Sequence, residues 1–269
     1  LGSAFLEKGG WDKTKEWMAD FLVHRARKKE ILDDLPGALA DLERATRWKP
    51  DDPPVIELRA KVKLKLKDIQ GSLADYNRLV ELRPRYAQAY MDRSIVYQRL
   101  HRHREAIDDL TQAIKLSSER APLPRNNRAY ARAIAGIELE EAFQDIEEAM
   151  SAYSDIRGPT DDPEAQNAAF LDTRGYLHLL LGRPEKALAD LDLAIRIAEK
   201  DRDDVFRQLD RFSVNQKVRD YYQRQFDQEL AVLYHHRGQA HDKLGHKSEA
   251  EADLKKGDEL GYSPEEGVF

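Results

Sequence analysis

Six arginines in this chain are each followed, 16 or 17 residues later, by an aspartate: Arg25/Asp41, Arg59/Asp75, Arg93/Asp109, Arg128/Asp145, Arg174/Asp190 and Arg237/Asp253. A guanidinium and a carboxylate can do two kinds of chemistry. They can present a ladder of charges to a ligand, or they can close on one another as bidentate ion pairs. A surface that reads a ligand varies from unit to unit, and these positions do not vary. The pairs therefore read as structural. Each would contribute about 0.2–1 kcal/mol if half exposed. If buried, losing one partner would cost about 3–5 kcal/mol.

Other reactive residue types do not converge. His235, His236 and His241 fall close together, but on a helix adjacent residues point about 100° apart, so His235 and His236 make a poor chelating pair. There are no cysteines, which excludes disulfides and thiolate metal sites. Metalloprotease spacing and phosphate-cradling glycine loops are absent. The carboxylates are plentiful but belong to solvated helix faces, and no set of them stands out as a catalytic group. We therefore expect no enzyme activity, no catalytic residue, no metal and no cofactor.

The elements that position the pairs repeat. Right after each arginine comes a small residue: Ala26, Ala60, Ser94, Ala129, Gly175 or Gly238. Three residues before each aspartate comes another: Ala38, Ser72, Ala106, Ala142, Ala187 or Ala250. An apolar residue follows each aspartate: Leu42, Tyr76, Leu110, Ile146, Leu191 or Leu254. Two helices approach closely where side chains are small, so these positions predict helix crossings. The stretch 61–67 alternates as a strand would, but the repeat register predicts a helix there. The fourth unit carries one extra residue between its small positions, which predicts a bulged or shifted first helix. Asp12 after Gly9–Gly10 reads as an N-cap, and Trp11, Trp17 and Phe21 as the apolar stripe of a first helix that caps the open end. Residues 154–163 read as a loop of turn formers. Gly257, Gly261 and Pro264 read as stops of the last helix.

The first three units repeat every 34 residues, as Ala26, Ala60 and Ser94 do. This resembles the tetratricopeptide repeat family, of bacterial type, in about six copies. Ala45, Ala113, Ala149 and Ala194 resemble a further small position of the family, where Leu79 and Gly257 depart. Pro50 and Pro84 resemble its closing proline. The resemblance implies an all-α fold, a right-handed superhelical solenoid of antiparallel helix pairs. It would be a single domain over 1–269, with repeats at 12–50, 53–84, 87–118, 122–153, 164–199 and 228–261 and a C-terminal cap at 262–269. The 199–228 segment is longer than a regular connection. We read it as a helical hairpin extension between the fifth and sixth repeats, its helices running from about Glu185 to Arg211 and from near Asn215 to Leu244. Phe206, Leu209 and Phe212 lie on one side, and Val218, Tyr222 and Phe226 on the other. Mutual cover is their expected role, and contact with a partner or a second copy of the chain is the alternative.

The family's first helices line a concave groove. By register, that groove would include His24, Arg27, Glu57, Lys61, Lys65, Asp92 and Arg99 early, mixed but rich in cations, and Asn126, Asn127, Tyr130, Asp172, Thr173, Tyr176, His235, His236, Gln239 and Lys243 later. The resemblance implies a non-catalytic scaffold that binds an extended peptide or a partner protein there. Asn127 matches one position of the carboxylate clamp of chaperone-adaptor members, but the flanking units do not supply the rest. The alternatives are an accessory repeat domain of a larger enzyme or membrane-anchored protein, and an RNA-binding helical repeat. The net charge of −6 counts against nucleic acid. With 35 % charged residues and no apolar run long enough to span a bilayer, the composition is that of a soluble protein, cytoplasmic or periplasmic, with no membrane contact from this segment. The chain begins at Leu1 without a methionine, as a processed product or a fragment would.

Overall fold

Several helices start at side-chain caps, and the first helix of each repeat ends at a left-handed residue. The computed structural model describes residues 8–118, 121–158, 164, 166–212 and 214–263, and every regular element among them is an α-helix. The chain divides into two compact units, residues 1–100 and 101–269. The first holds α1 (Lys8–Ile31), α2 (Leu35–Trp48), α3 (Pro53–Lys65), α4 (Ile69–Leu82) and α5 (Ala87–Arg99). The second holds α6 (His103–Leu116), α7 (Pro122–Ala135), α8 (Leu139–Arg157), α9 (Ala168–Leu180), α10 (Pro184–Arg211), α11 (Gln216–Leu244) and α12 (Lys247–Glu259). Residues 61–65 are helical within α3, so the register outweighs the local alternation.

Helix starts follow local chemistry. The Asp34 and Asp68 carboxylates accept from the Gly37 and Gly71 amides, each at 3.0 Å, and Asn167 accepts from the Phe170 amide at 3.2 Å. These bonds satisfy amides that the first helical turn leaves unpaired. Prolines stand at the first two positions of α2, α3, α7 and α10, where a missing N–H costs nothing.

Each unit turns at the same place. The residue seven after the small one is left-handed in all six repeats: Asp33, Lys67, His101, Gly136, Gly182 and Gly245. The fourth repeat adds a second left-handed residue, Glu138. Its extra residue therefore lies in the turn, and α7 is an uninterrupted helix rather than the bulged one the spacing predicts.

The small residues are where helices cross. Ala26, Ala38, Ala60, Ala106, Ala129, Ala142 and Ala187 are fully buried. In the last two repeats the approach is closer. A Cβ on Gly175 or Gly238 would stand 2.9 Å from Cγ of Leu191 or Leu254. In the first unit the core gathers around Leu22, Leu42, Val55 and Val62, and around Ile56, Tyr76, Leu79 and Val96. In the second it gathers around Ile146, Phe170 and Leu177, and around Leu171, Leu191, Ile195, Leu230 and Leu233.

α10 and α11, of 28 and 29 residues, form the long hairpin that the sequence predicts. The rings of Phe206 and Phe226 lie 6.4 Å apart, and the Arg219 guanidinium sits 5.5 Å over Phe206. Phe212, at the end of α10, is 79 % exposed.

Three boundaries differ from expectation. α1 runs through Gly9 and Gly10, so Asp12 lies inside a helix and does not cap it. α8 continues through Ser154–Arg157, because the helix keeps its hydrogen bonds until Gly158 takes a positive φ. Gly257 does not stop α12. It lies inside it, where a Cβ would meet the Ala231 carbonyl at 3.0 Å, so glycine permits close packing on α11. The stop falls at Gly261, with φ 88°. The expectations for Pro264, for 159–163 and for the side chain of Trp11 lie outside the described residues.

Candidate functional site

Five of the six arginine–aspartate pairs lie within one unit, and all five close as bidentate ion pairs. Nε and Nη2 of the arginine reach the two carboxylate oxygens at 2.7 and 2.5 Å for Arg25–Asp41. The distances are 2.8 and 2.5 Å for Arg59–Asp75, and 2.8 and 2.6 Å for Arg128–Asp145. They are 2.8 and 2.7 Å for Arg174–Asp190, and 2.6 and 2.7 Å for Arg237–Asp253. Arg93 and Asp109 fall in different units. The six aspartates are buried. Hydrogen bonds from the Arg25 guanidinium hold Asp41 below the usual carboxylate range, against the opposing effect of burial.

The third guanidinium nitrogen, Nη1, reaches back to the preceding helix pair. It donates to Thr46 from Arg59 (2.9 Å), Asn77 from Arg93 (2.9 Å), Thr111 from Arg128 (3.0 Å), Glu147 from Arg174 (3.2 Å) and Asp192 from Arg237 (2.9 Å). One side chain thus closes its own hairpin and ties it to its neighbour. A second base also faces the aspartate, four residues after the arginine. It is Lys29 at 3.0 Å from Asp41, Lys63 at 2.8 Å from Asp75 and Arg132 at 2.5 Å from Asp145. In the last two repeats it is His178, 4.0 Å from Asp190, and His241, 3.9 Å from Asp253. Burial pushes His178 below its ordinary value, which the Asp190 charge only partly offsets.

The groove candidates of the first unit are mostly committed to internal pairs. Lys61 bridges Glu57 at 2.8 Å and Asp92 at 3.2 Å. Lys65 pairs with Glu30 at 2.6 Å. Burial raises Asp92 above the usual carboxylate range. Arg27 is exposed on α1, and Arg99 ends α5 half-buried.

The second unit brings its candidates together. α9 packs against α7 on one side and α11 on the other. Three residues before the small position, Asn126, Asp172 and His235 form one row across the three helices. One residue after it, Tyr130, Tyr176 and Gln239 form another. Asn127, Thr173 and His236 lie two residues before it. The rings of Tyr130 and Tyr176 lie 6.4 Å apart, and Tyr176 stacks on His236 at 4.4 Å. His236 donates Nδ1–H to Asp172 Oδ1 at 2.8 Å, with both side chains buried. Gln239 donates to His235 Nε2 at 2.9 Å. Burial, reinforced by His236, pushes His235 down to about 4. Burial and Asp172 together raise Tyr176. The amide nitrogen of Asn126 reaches Asn127 Oδ1 at 3.4 Å.

Two members of this face do not stand out in the sequence. Tyr262, just past the last turn, stacks on His235 with ring centroids 3.7 Å apart. Its only sequence signal is that it follows Gly261, which reverses the chain onto α11. Glu229 lies seven residues before His236, on the same side of α11. Burial first, then Asp201 and Asp172, raise its carboxyl above the usual range.

Residues 87–120, 168–201 and 231–260 match the family model of the tetratricopeptide repeat. No curated protein matches the sequence. Solved structures do match. A tetratricopeptide repeat protein from Parabacteroides merdae has a TM-score of 0.65 at 19 % identity, over 97 % of this chain and 90 % of its own. PilW, a widely conserved type IV pilus biogenesis factor, has a TM-score of 0.62 at 15 % identity, over 92 % of this chain and 96 % of its own. A thermophilic protein of the same repeat type from Thermus thermophilus has a TM-score of 0.55 at 24 % identity, over 73 % of this chain and 100 % of its own. At these identities the likeness is one of fold. No helix among the described residues is long and apolar enough to cross a membrane.

Proposed function

We infer from this chain being a tetratricopeptide-repeat protein, a scaffold of the protein-interaction class, that it holds an extended segment of a partner protein and does no chemistry on it. The segment would lie on the α7–α9–α11 face. One observation carries this reading. Side chains far apart in sequence converge there as Tyr130, Tyr176 and His236 in ring contact, flanked by Asn127 and Gln239. Aromatic walls with amides beside them suit the side chains and backbone groups of an extended peptide. Selection of a random peptide display library on the full chain tests it. Selected peptides should lose at least about tenfold in affinity on Tyr176→Ala combined with Asn127→Ala, with helicity unchanged. Peptides that bind both proteins equally would place the binding surface elsewhere.

A second reading concerns self-association. Phe212 is 79 % and Tyr222 37 % exposed on the long hairpin, and paired apolar side chains there would suit a second copy of the chain. Deleting 205–225 should then convert a dimer to a monomer in sedimentation. A wild-type monomer rejects the idea.

A further inference from the structure

The α7–α9–α11 face is short of hydrogen-bond donors. Asn126 is 7 % exposed, and its Oδ1 is buried with no hydrogen-bond partner. A buried carbonyl left unpaired is costly, so this atom marks where a donor belongs. Asp172 is 3 % exposed and gives Oδ1 to His236. Its Oδ2 has no protein donor among the described residues. It stands in the same repeat row as Asn126, on the neighbouring helix. His235 completes the row but brings no positive charge, because a ring nitrogen that accepts from the Gln239 amide belongs to a neutral imidazole.

We propose that this face is a binding site for an arginine side chain of the partner protein. The guanidinium would donate to Asn126 Oδ1 and to the Asp172 carboxylate, with Tyr130 and Tyr176 as its aromatic walls. A guanidinium fits better than an ammonium on two counts. Its five N–H groups in a planar fork can serve acceptors contributed by two neighbouring helices. Its flat face packs on tyrosine rings. The site rests on the peptide-binding reading of the same face and adds to it the chemistry of the side chain that is recognised.

Fluorescence anisotropy on the full chain tests it, with labelled ten-residue peptides alternating serine with arginine, lysine or glutamate. Salt is kept near 150 mM, where the Debye length is about 8 Å and long-range attraction to the acidic chain is screened. The arginine peptide should bind at least about tenfold more tightly than the glutamate peptide and more tightly than the lysine peptide. Asp172→Asn, which keeps the shape and an acceptor for His236, should weaken it about fivefold or more. Asn126→Ser gives an independent second variant with the same direction. Glu251→Gln, at an exposed carboxylate on α12, should change nothing. Equal loss in Asp172→Asn and Glu251→Gln, or no preference for arginine, overturns the proposal. Competition by free arginine at the peptide's own affinity would assign the site to a small molecule instead. The outcomes also separate the two readings. A glutamate or lysine peptide that binds best and is lost on Tyr176→Ala leaves the peptide surface standing and removes the arginine site. No binding by any peptide removes both.

Discussion

At the scale of single residues, the buried aspartate organises each repeat, and its second partner grades the repeats. Asp75 keeps Lys63 at 2.8 Å if Arg59 is removed. Asp190 keeps only His178 at 4.0 Å, a base that burial holds toward its neutral form. Arg174→Ala should therefore cost about 3–5 kcal/mol, and Arg59→Ala clearly less. Urea unfolding of the two variants checks the order, and equal midpoints would contradict it. The arginines and aspartates were legible from spacing alone. The second base does not stand out in the sequence because its type changes from lysine to arginine to histidine, although its place, four residues on, is constant. The contact of Asp172 with His236 was out of reach of spacing, since 64 residues separate them and only packed helices bring them together. Turn residues carry a further prediction. Lys67 sits at φ 63° where three sister repeats use glycine. A left-handed lysine is strained by about 1–2 kcal/mol, and glycine relieves this while adding disorder to the unfolded chain. Lys67→Gly should raise the melting temperature, by an amount equivalent to about 0.5–1 kcal/mol.

At the scale of elements, the repeat register read the helices better than local composition did. It placed α3 correctly through an alternating stretch, and it marked the 199–228 segment as the point where the frame breaks. Composition misled at Ser154–Arg157, where turn-forming residues are carried in a helix, and at Gly257, whose role is a close helix approach. The hairpin of α10 and α11 holds its outer half with few contacts, chiefly Phe206 on Phe226 and the pair Arg219–Asp210. Segments with little burial open readily. Phe226→Ala should speed amide exchange in residues 203–225 severalfold and leave residues 184–198, which lie in the core, unchanged. Equal acceleration in both halves would mean that the hairpin is not a separate opening element.

At the scale of the whole molecule, acid should act on the two units differently. His235 titrates near 4 in the folded chain and near 6.5 when unfolded. The unfolded state therefore binds more protons between these values, and stability falls as pH drops from 6.5 to 4. Glu229 opposes this, since a raised carboxyl gains stability on acidification. The clean measurement is the difference between wild type and His235→Phe, which keeps the stack on Tyr262. Circular dichroism should show a flatter pH dependence for the variant within that window. All three tryptophans, Trp11, Trp17 and Trp48, lie in the first unit, so the fluorescence transition should not move. In that unit Asp41, with its lowered value, loses its contribution only below about pH 3.8.

The arginine that reaches backward has a consequence for how the chain is made. Each Nη1 acceptor (Thr46, Asn77, Thr111, Glu147 or Asp192) precedes its arginine in sequence. During synthesis every new hairpin therefore emerges from the ribosome to meet an anchor already in place. The array can close one rung at a time, in the order of translation, without waiting for its C-terminus.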